Sequence, residues 1–261
     1  MDCLCRFAMP VRLSFDRVAS IYDETRGLSP KVLSHVLGIL VDELQGKKVL
    51  EVGVGTGRYA VPLQKSGILV VGVDISQQMV EHGLRKGLHH VVLADGARLP
   101  FTLRTFDVAT TNHMLHLVPD WRDVLLEIVR VTRDSYFSIL EKAYEKATLQ
   151  TEYRDLAREA GFDAEHPGIH ERDLPALLPP DVVMPVGPFD EFVPADTLLE
   201  ELENRAYSAQ WAVPESVHRQ VMRTLRERWA GQDIHHRYAL EISWWRVDRL
   251  AALAKAPLQK S

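Results

Sequence analysis

Val49-Leu50-Glu51-Val52-Gly53-Val54-Gly55-Thr56-Gly57 reads as a buried strand that ends in a carboxylate and a three-glycine turn. Glycine lacks a Cβ and tolerates positive φ, so it suits a turn where a ligand lies against the backbone. The following Arg58-Tyr59-Ala60-Val61-Pro62-Leu63 predicts a helix over 57–66, with its first N–H groups facing whatever binds the loop. Strand, glycine loop and helix make a nucleotide or cofactor cradle. The dinucleotide fingerprint G-x-G-x-x-G/A is the nearest competitor. Here the glycines are 53, 55 and 57, and Arg58 stands where the third small residue belongs. Glu51, just before the loop, would repel a pyrophosphate and suits a ligand with a positive charge.

The next segments repeat the pattern of an apolar run closed by a polar residue. Ile68-Leu69-Val70-Val71-Gly72-Val73-Asp74 is a second strand with an acid at its carboxyl end. In open α/β sheets such an acid meets the ribose hydroxyls of an adenosine ligand. Val91-Val92-Leu93-Ala94-Asp95-Gly96 leads into Leu99-Pro100-Phe101, and Phe106 through Thr111 leads into Leu115-His116-Leu117-Val118-Pro119-Asp120. In this order the four segments resemble the class I S-adenosylmethionine (SAM)-dependent methyltransferases. The resemblance lies in the E/D-x-G-x-G-x-G loop, the ribose acid, the adenine loop with L-P-F, and the L-H-x-x-P-D turn. SAM carries an amino group and a sulfonium and no phosphate, so an acidic loop is electrostatically sensible. The run F-D-x-x-A-x-x-Y-D-x-x-R, from Phe15 to Arg26, resembles the start of the quinone-biosynthesis (methyltransferase type 11) group.

The resemblance implies roles residue by residue. Gly53, Gly55 and Gly57 would let the backbone lie against the methionine part, with Glu51 orienting the ammonium. Asp74 would accept from the ribose hydroxyls, with Ile75 and Met79 against the adenine. Asp95 would receive the adenine amino group, with Gly96 beside it. Asn112 lies where a backbone carbonyl reaches the ammonium, and Tyr22 and Arg26 are lid candidates. S-adenosylhomocysteine (SAH) would be the product. Methyl transfer from a sulfonium needs few obligatory groups beyond positioning and shielding from water. His113 and His116, just past the fourth strand, are the candidates for a general base. The competing reading has them stabilise the turn or pack on the next helix. Tyr207, Trp211 and His218 fall in a variable helical stretch that could cover an acceptor.

The whole chain sets limits. Its 261 residues allow one α/β domain with insertions. A net charge of −5 without a Lys/Arg block argues against nucleic acid as the main partner. No apolar run approaches the roughly 18 residues of a spanning helix, and Met1–Pro10 lacks a long apolar signal core, so a cytoplasmic protein is expected. No metal is expected. Cys3 and Cys5 stand alone near the terminus, and His235-His236 lacks a supporting cluster. Oligomeric state is not legible.

Strands are expected near 48–52, 69–73, 90–94, 106–111 and 135–140. Helices are expected near 14–23, 30–44, 57–66, 76–86, 122–131 and 146–160. This alternation predicts a doubly wound, mostly parallel sheet. The resemblance makes it a seven-stranded Rossmann-like sheet with a helical insertion or cap. Val131-Thr132-Arg133-Asp134-Ser135 replaces the family's usual L-K-P-G-G, a departure that weakens the expectation for the fifth strand. After Gly161, seven prolines from Pro167 to Pro194 predict short broken pieces. Helices near 195–206 and 214–230, a final strand over 236–247 and a helix from Asp248 follow. The expected organisation is a helical lid over 1–45 and a SAM-binding core over 46–165. An acceptor-side insertion over 166–234 and a closing strand and helix over 235–261 complete it. The acceptor is expected to be a small organic molecule methylated at O, N or C. The alternatives are a non-catalytic SAM-binding relative and an NAD-linked oxidoreductase on a similar sheet.

Overall fold

The computed structural model describes residues 15–26, 28–143, 149–162 and 166–255. Cys3, Cys5 and Met1–Pro10 lie outside them. The strands are β1 (Lys48–Val52), β2 (Leu69–Asp74), β3 (Val91–Leu93), β4 (Phe106–Thr111), β5 (Thr132–Ala143), β6 (Val182–Pro194) and β7 (Asp233–Arg246). They form one sheet in the order β3-β2-β1-β4-β5-β7-β6. The first five are parallel neighbours, and β7 runs antiparallel between β5 and β6. The order reverses at β1, so a crevice opens between the carboxyl ends of β1 and β4, where open α/β sheets bind ligands.

The helices are α1 (Tyr22–Arg26), α2 (Pro30–Leu44), α3 (Ala60–Lys65), α4 (Gln77–Lys86), α5 (Trp121–Val131), α6 (Leu149–Glu159), α7 (Leu174–Leu177), α8 (Ala195–Glu203), α9 (Glu215–Trp229) and α10 (Val247–Lys255). In α2, Pro30 opens the first turn, the Ser29 hydroxyl accepts from Val32 N–H, and Val32, Val36, Leu40 and Leu44 form its buried stripe. That stripe packs with Phe137 and Trp244 on one face of the sheet. On the other face Val124, Leu125 and Ile128 of α5 pack with Tyr136 and Trp245. Adjacent residues of β5 and β7 thus feed opposite cores, as the pleat requires. A third core joins α6, α8 and α9 through Tyr153, Leu199, Leu202, Met222 and Leu225. Among the described residues, no helix is long and apolar enough to cross a membrane.

Four expectations need correction. The 14–23 helix is two pieces, a 3₁₀ turn at Asp16–Val18 and then α1. The 57–66 helix starts late, at Ala60, because Thr56–Tyr59 still belong to the turn. The fifth strand begins at Thr132, directly from α5 without a loop. Between the pairs Phe106↔Thr132 and Val108↔Ser135, β5 carries one extra residue, a bulge that absorbs the missing glycine turn. There Arg133 pairs with Asp107 at 2.9 Å, and Asp107 accepts from Lys48 N–H. Finally, 182–194 is one strand rather than broken pieces. It is the sheet's edge, where a proline's missing N–H is tolerated, and its register shifts between Val186 and Phe189 around Pro188.

Candidate functional site

The crevice forms where the ends of β1, β2, β3 and β4 meet the segment at residues 15–22. It opens to solvent and, with that solvent counted, spans about 840 Å³. Gly53 and Val54 N–H donate to Val73 C=O at 2.8 and 3.0 Å, which turns the chain back over β2. Gly53 has φ +77°, and a Cβ there would lie 2.7 Å from Met114 Cβ and Cγ. The glycine therefore keeps the crevice floor open. Asp74 is tied to the same loop. Its Oδ2 accepts from Gly55 N–H at 2.7 Å and its Oδ1 from Ser76 N–H at 2.8 Å. Each oxygen keeps a lone pair for a further donor. Burial pushes the Asp74 carboxyl upward against these two N–H groups.

Of the residues singled out from the sequence, Tyr22, Gly53, Gly55, Asp74, Ile75, Met79, Asp95, Gly96, Asn112 and His113 line this one crevice. Asp95 Oδ1 accepts from Ala97 N–H at 3.0 Å. The Asn112 amide spans β4 and β5, accepting from Ile139 N–H and donating to Thr110 Oγ1. Three residues sit elsewhere. Glu51 lies beneath the loop and is 3% exposed. Burial pushes its carboxyl up to about 8, although the Asn112 side chain and the Arg58 charge pull the other way. Gly57 faces inward, where a Cβ would lie 2.7 Å from Val61 and 3.3 Å from Leu88, so it serves helix packing rather than the crevice wall. His116 lines a second cavity instead. The side chain of Arg26 lies outside the described residues.

The N-terminal segment is fastened across the crevice mouth. Asp16 Oδ1 accepts from the Ser76 hydroxyl at 2.5 Å and from Gln78 N–H. Asp23 accepts from the Thr56 hydroxyl at 2.6 Å and pairs with Lys86 at 2.7 Å. Phe15 meets Tyr22 edge-on and packs against Trp211, with ring centroids 5.0 Å apart in the second pair.

The second cavity adjoins the first through His113, which lines both. His113 holds a left-handed φ of +56° at the turn after β4. His116, in the turn after β4, stacks on His170 and faces Glu171. His166, His170 and Glu171 went unnoticed in the sequence. Their crowding into His166-Pro167-Gly168-Ile169-His170-Glu171 was the available signal, but nothing local joins it to His116.

Residues 50–137 match the methyltransferase domain family. The demethylmenaquinone methyltransferase of Corynebacterium kroppenstedtii is 36% identical over 127 residues, 46% of this chain and 53% of that protein. The malonyl-[acyl-carrier protein] O-methyltransferase of Salmonella typhimurium is 32% identical over 124 residues, 47% of this chain and 49% of that protein. The chain thus spans about half the length of the curated relatives it matches. Among solved structures, a putative methyltransferase from an antibiotic biosynthesis pathway of Anabaena variabilis aligns with TM-score 0.55 at 16% identity. It covers 80% of this chain and 96% of that one. A Thermotoga maritima SAM-dependent methyltransferase, described as a possible histamine N-methyltransferase, aligns with TM-score 0.52 at 18% identity. That match covers 88% of this chain and 97% of the other. Residues 50–137 are thus similar to the methyltransferase domain family, including quinone-biosynthesis members, and lie on a Rossmann-like, mostly parallel sheet.

Proposed function

We propose that the chain is a SAM-dependent methyltransferase that transfers a methyl group to an O, N or C atom of a small organic acceptor. The observation that carries this is the pairing of a buried acid with an acid-lined crevice. Glu51 is sealed beneath the glycine loop, where burial raises its carboxyl to about 8 despite the Arg58 charge. An ammonium placed over the loop would add a further counter-charge. A ribose fits Asp74, whose oxygens retain accepting capacity beside the open backbone of Gly53 and Gly55. Ile75 and Met79 offer an apolar wall, and Asp95 and Gly96 close the far end for an adenine amino group. No phosphate is accommodated by this acid set, which disfavours a dinucleotide.

SAM supplies a methyl group on a sulfonium, a reactive centre that needs little further activation. The chain's own work is to hold the donor, admit the acceptor and exclude water. Tyr22 lines the crevice, Arg26 follows on the same helix, and the fastened 15–22 segment closes one side. His113 and His116 stand at the acceptor side as candidates for proton removal. His166, His170 and Tyr207 supply part of the cavity wall on that side, with Tyr153 and Arg154 of α6.

Titration calorimetry with SAM and SAH tests the reading. Binding of both, with no binding of NAD, is expected. Failure of both to bind overturns it, and release of labelled methyl to any acceptor excludes a non-catalytic role.

A further inference from the structure

The second cavity lies between the turn after β4, the start of α6, residues 166–172 and the turn at 207–210. It opens to solvent and, with that solvent counted, spans about 1680 Å³. Backbone contacts fix its wall. Gly168 N–H donates to His116 C=O at 3.0 Å, and a Cβ on Gly168 would lie 2.0 Å from Leu115 C=O, so a glycine is needed for this segment to dock. Glu171 Oε1 then accepts from Met114 and Leu115 N–H at 2.7 and 2.9 Å. The next residue, Arg172, is thereby held at the cavity wall. On α6 the buried Tyr153, whose hydroxyl lies 2.8 Å from His218 Nδ1, anchors the first turns. That anchoring brings Arg154 to the same cavity, with its guanidinium 3.5 Å from Thr151 Oγ1 one turn back.

Two carboxylates also line the cavity, and both are committed. Glu171 is 5% exposed, spends one oxygen on the turn and faces His116 Nδ1 with the other at 3.7 Å. Glu141 faces His236 Nε2 at 3.7 Å. Among the described residues, neither arginine is paired with a carboxylate of this wall. His170 adds no charge near neutral pH. Burial first, then the charges of His116 and Arg172, push it down to about 4. The Arg172 charge is therefore felt along the wall. Arginine stays protonated throughout the working range, so an anion site here needs no particular charge on His116.

Two such guanidiniums sort ligands. A cationic amine meets them with no uncommitted carboxylate to offset the repulsion. A wholly apolar ligand would strip water from them and give nothing back. An anion gains forked, charge-assisted hydrogen bonds. The chain as a whole carries a net charge of −5 and repels anions in bulk, so any attraction is local. His113 lines both cavities, so a ligand held at the arginines has a way toward the crevice where the two adjoin. We infer that, on the reading that the crevice binds SAM, the second cavity takes an acceptor bearing an anionic oxygen group, a carboxylate or a phosphate monoester. Arg154 and Arg172 hold that group and set the specificity.

The test uses the full chain loaded with SAH and equilibrium dialysis near neutral pH against four probes of one shape. These are 2-naphthoate, 2-naphthyl phosphate, the neutral 2-naphthamide and the cationic 2-naphthylmethylamine. At least one anion is expected to bind about tenfold or more tightly than the amide, and the amine least tightly. The tighter anion tells carboxylate from phosphate. Arg172→Gln and Arg154→Gln each weaken that anion by about fivefold to tenfold and change the amide by less than about twofold. Arg85→Gln, on α4 and outside this cavity, changes neither. SAH affinity, measured by calorimetry, stays within about threefold of the parent in all three variants, which also shows that they fold. If SAH binds and no anion binds more tightly than the amide, the ligand class is wrong. If the anion preference survives both cavity variants, or falls as much with Arg85→Gln, the assignment to these arginines is wrong. Failure of the unmodified chain to bind SAH would instead overturn the cofactor reading beneath it.

Discussion

The crevice and the second cavity share His113, yet they are built in opposite ways. The crevice draws on four strand ends, each a short contiguous motif, around one loop of glycines. The second cavity draws on the turn after β4, α6, residues 166–172 and the turn at 207–210, which are far apart in sequence. One site is encoded by local spacing and the other by tertiary assembly. The comparison predicts that crevice substitutions act on ligand affinity, whereas cavity substitutions act on stability and on the histidine cluster.

The largest effect should come from Asp74→Ala. It removes the acceptor proposed for the ribose and also frees Gly55 and Ser76 N–H. Charged hydrogen bonds of this kind contribute about 3 kcal/mol in all, or roughly a hundredfold in SAM affinity. Calorimetry checks it, and a change below threefold would take the ribose assignment off Asp74.

Two glycines sharpen the contrast. Gly53→Ala places a Cβ against Met114 and forces an L-residue into a left-handed φ, worth about 2 kcal/mol. Gly168→Ala places a Cβ 2.0 Å from Leu115 C=O, where residues 166–171 dock on the turn after β4. Both should lower Tm by several degrees. Only Gly53→Ala should also weaken SAM binding, by about tenfold. Equal losses of affinity in the two variants would erase the distinction between the sites.

Glu51 adds a pH signature that belongs to the crevice alone. Its carboxyl rises from the usual 4.5 to about 8 in the fold. The folded chain therefore keeps a proton that the unfolded chain loses, and this contribution to stability fades as pH rises through about 8. An ammonium ligand has the opposite demand, because it binds the ionised acid. SAM affinity should climb as pH approaches 8, by up to about tenfold per unit, with a proton released to the buffer below that point. Calorimetry in buffers of different ionisation enthalpy reads the proton count. Glu51→Gln should abolish the release, and its persistence would assign the proton to another group.

These differences also explain what was legible in the sequence. Each core strand is a short apolar run ending at a marked residue such as Glu51 or Asp74, so period and punctuation sufficed. The fifth strand was obscured because its glycine turn is replaced by a bulge at Arg133 and Asp134, a device visible only in the register with β4. β6 was hidden by prolines that an edge strand tolerates. Gly57 looked like a ligand glycine because motif spacing does not distinguish the crevice from the Val61 and Leu88 side. Glu171 could not be placed beside His116, since their contact is made only when residues 166–171 fold back onto the turn.

The smallest effect tests whether the two regions communicate. Trp211 belongs to the segment after α8, and its indole N–H donates to Arg205 C=O at 3.0 Å. Its ring packs on Phe15 of the crevice and lies 5.0 Å from the Arg17 guanidinium. Removing an aromatic pair and a partly exposed cation–π contact costs about 1–2 kcal/mol. The 15–22 segment keeps its fastening through Asp16 to Ser76, and Asp23 still holds Thr56. Trp211→Ala should therefore loosen one corner of the crevice rather than open it. SAM dissociation should quicken by about threefold to tenfold in stopped-flow measurements, with the association rate little changed. Asp23→Ala, which removes an exposed ion pair with Lys86 and one hydroxyl contact, should cost about 1 kcal/mol or less. If Trp211→Ala leaves dissociation unchanged while Asp23→Ala speeds it, the N-terminal segment answers to the core alone. The cavity side would then have no hold on the cofactor.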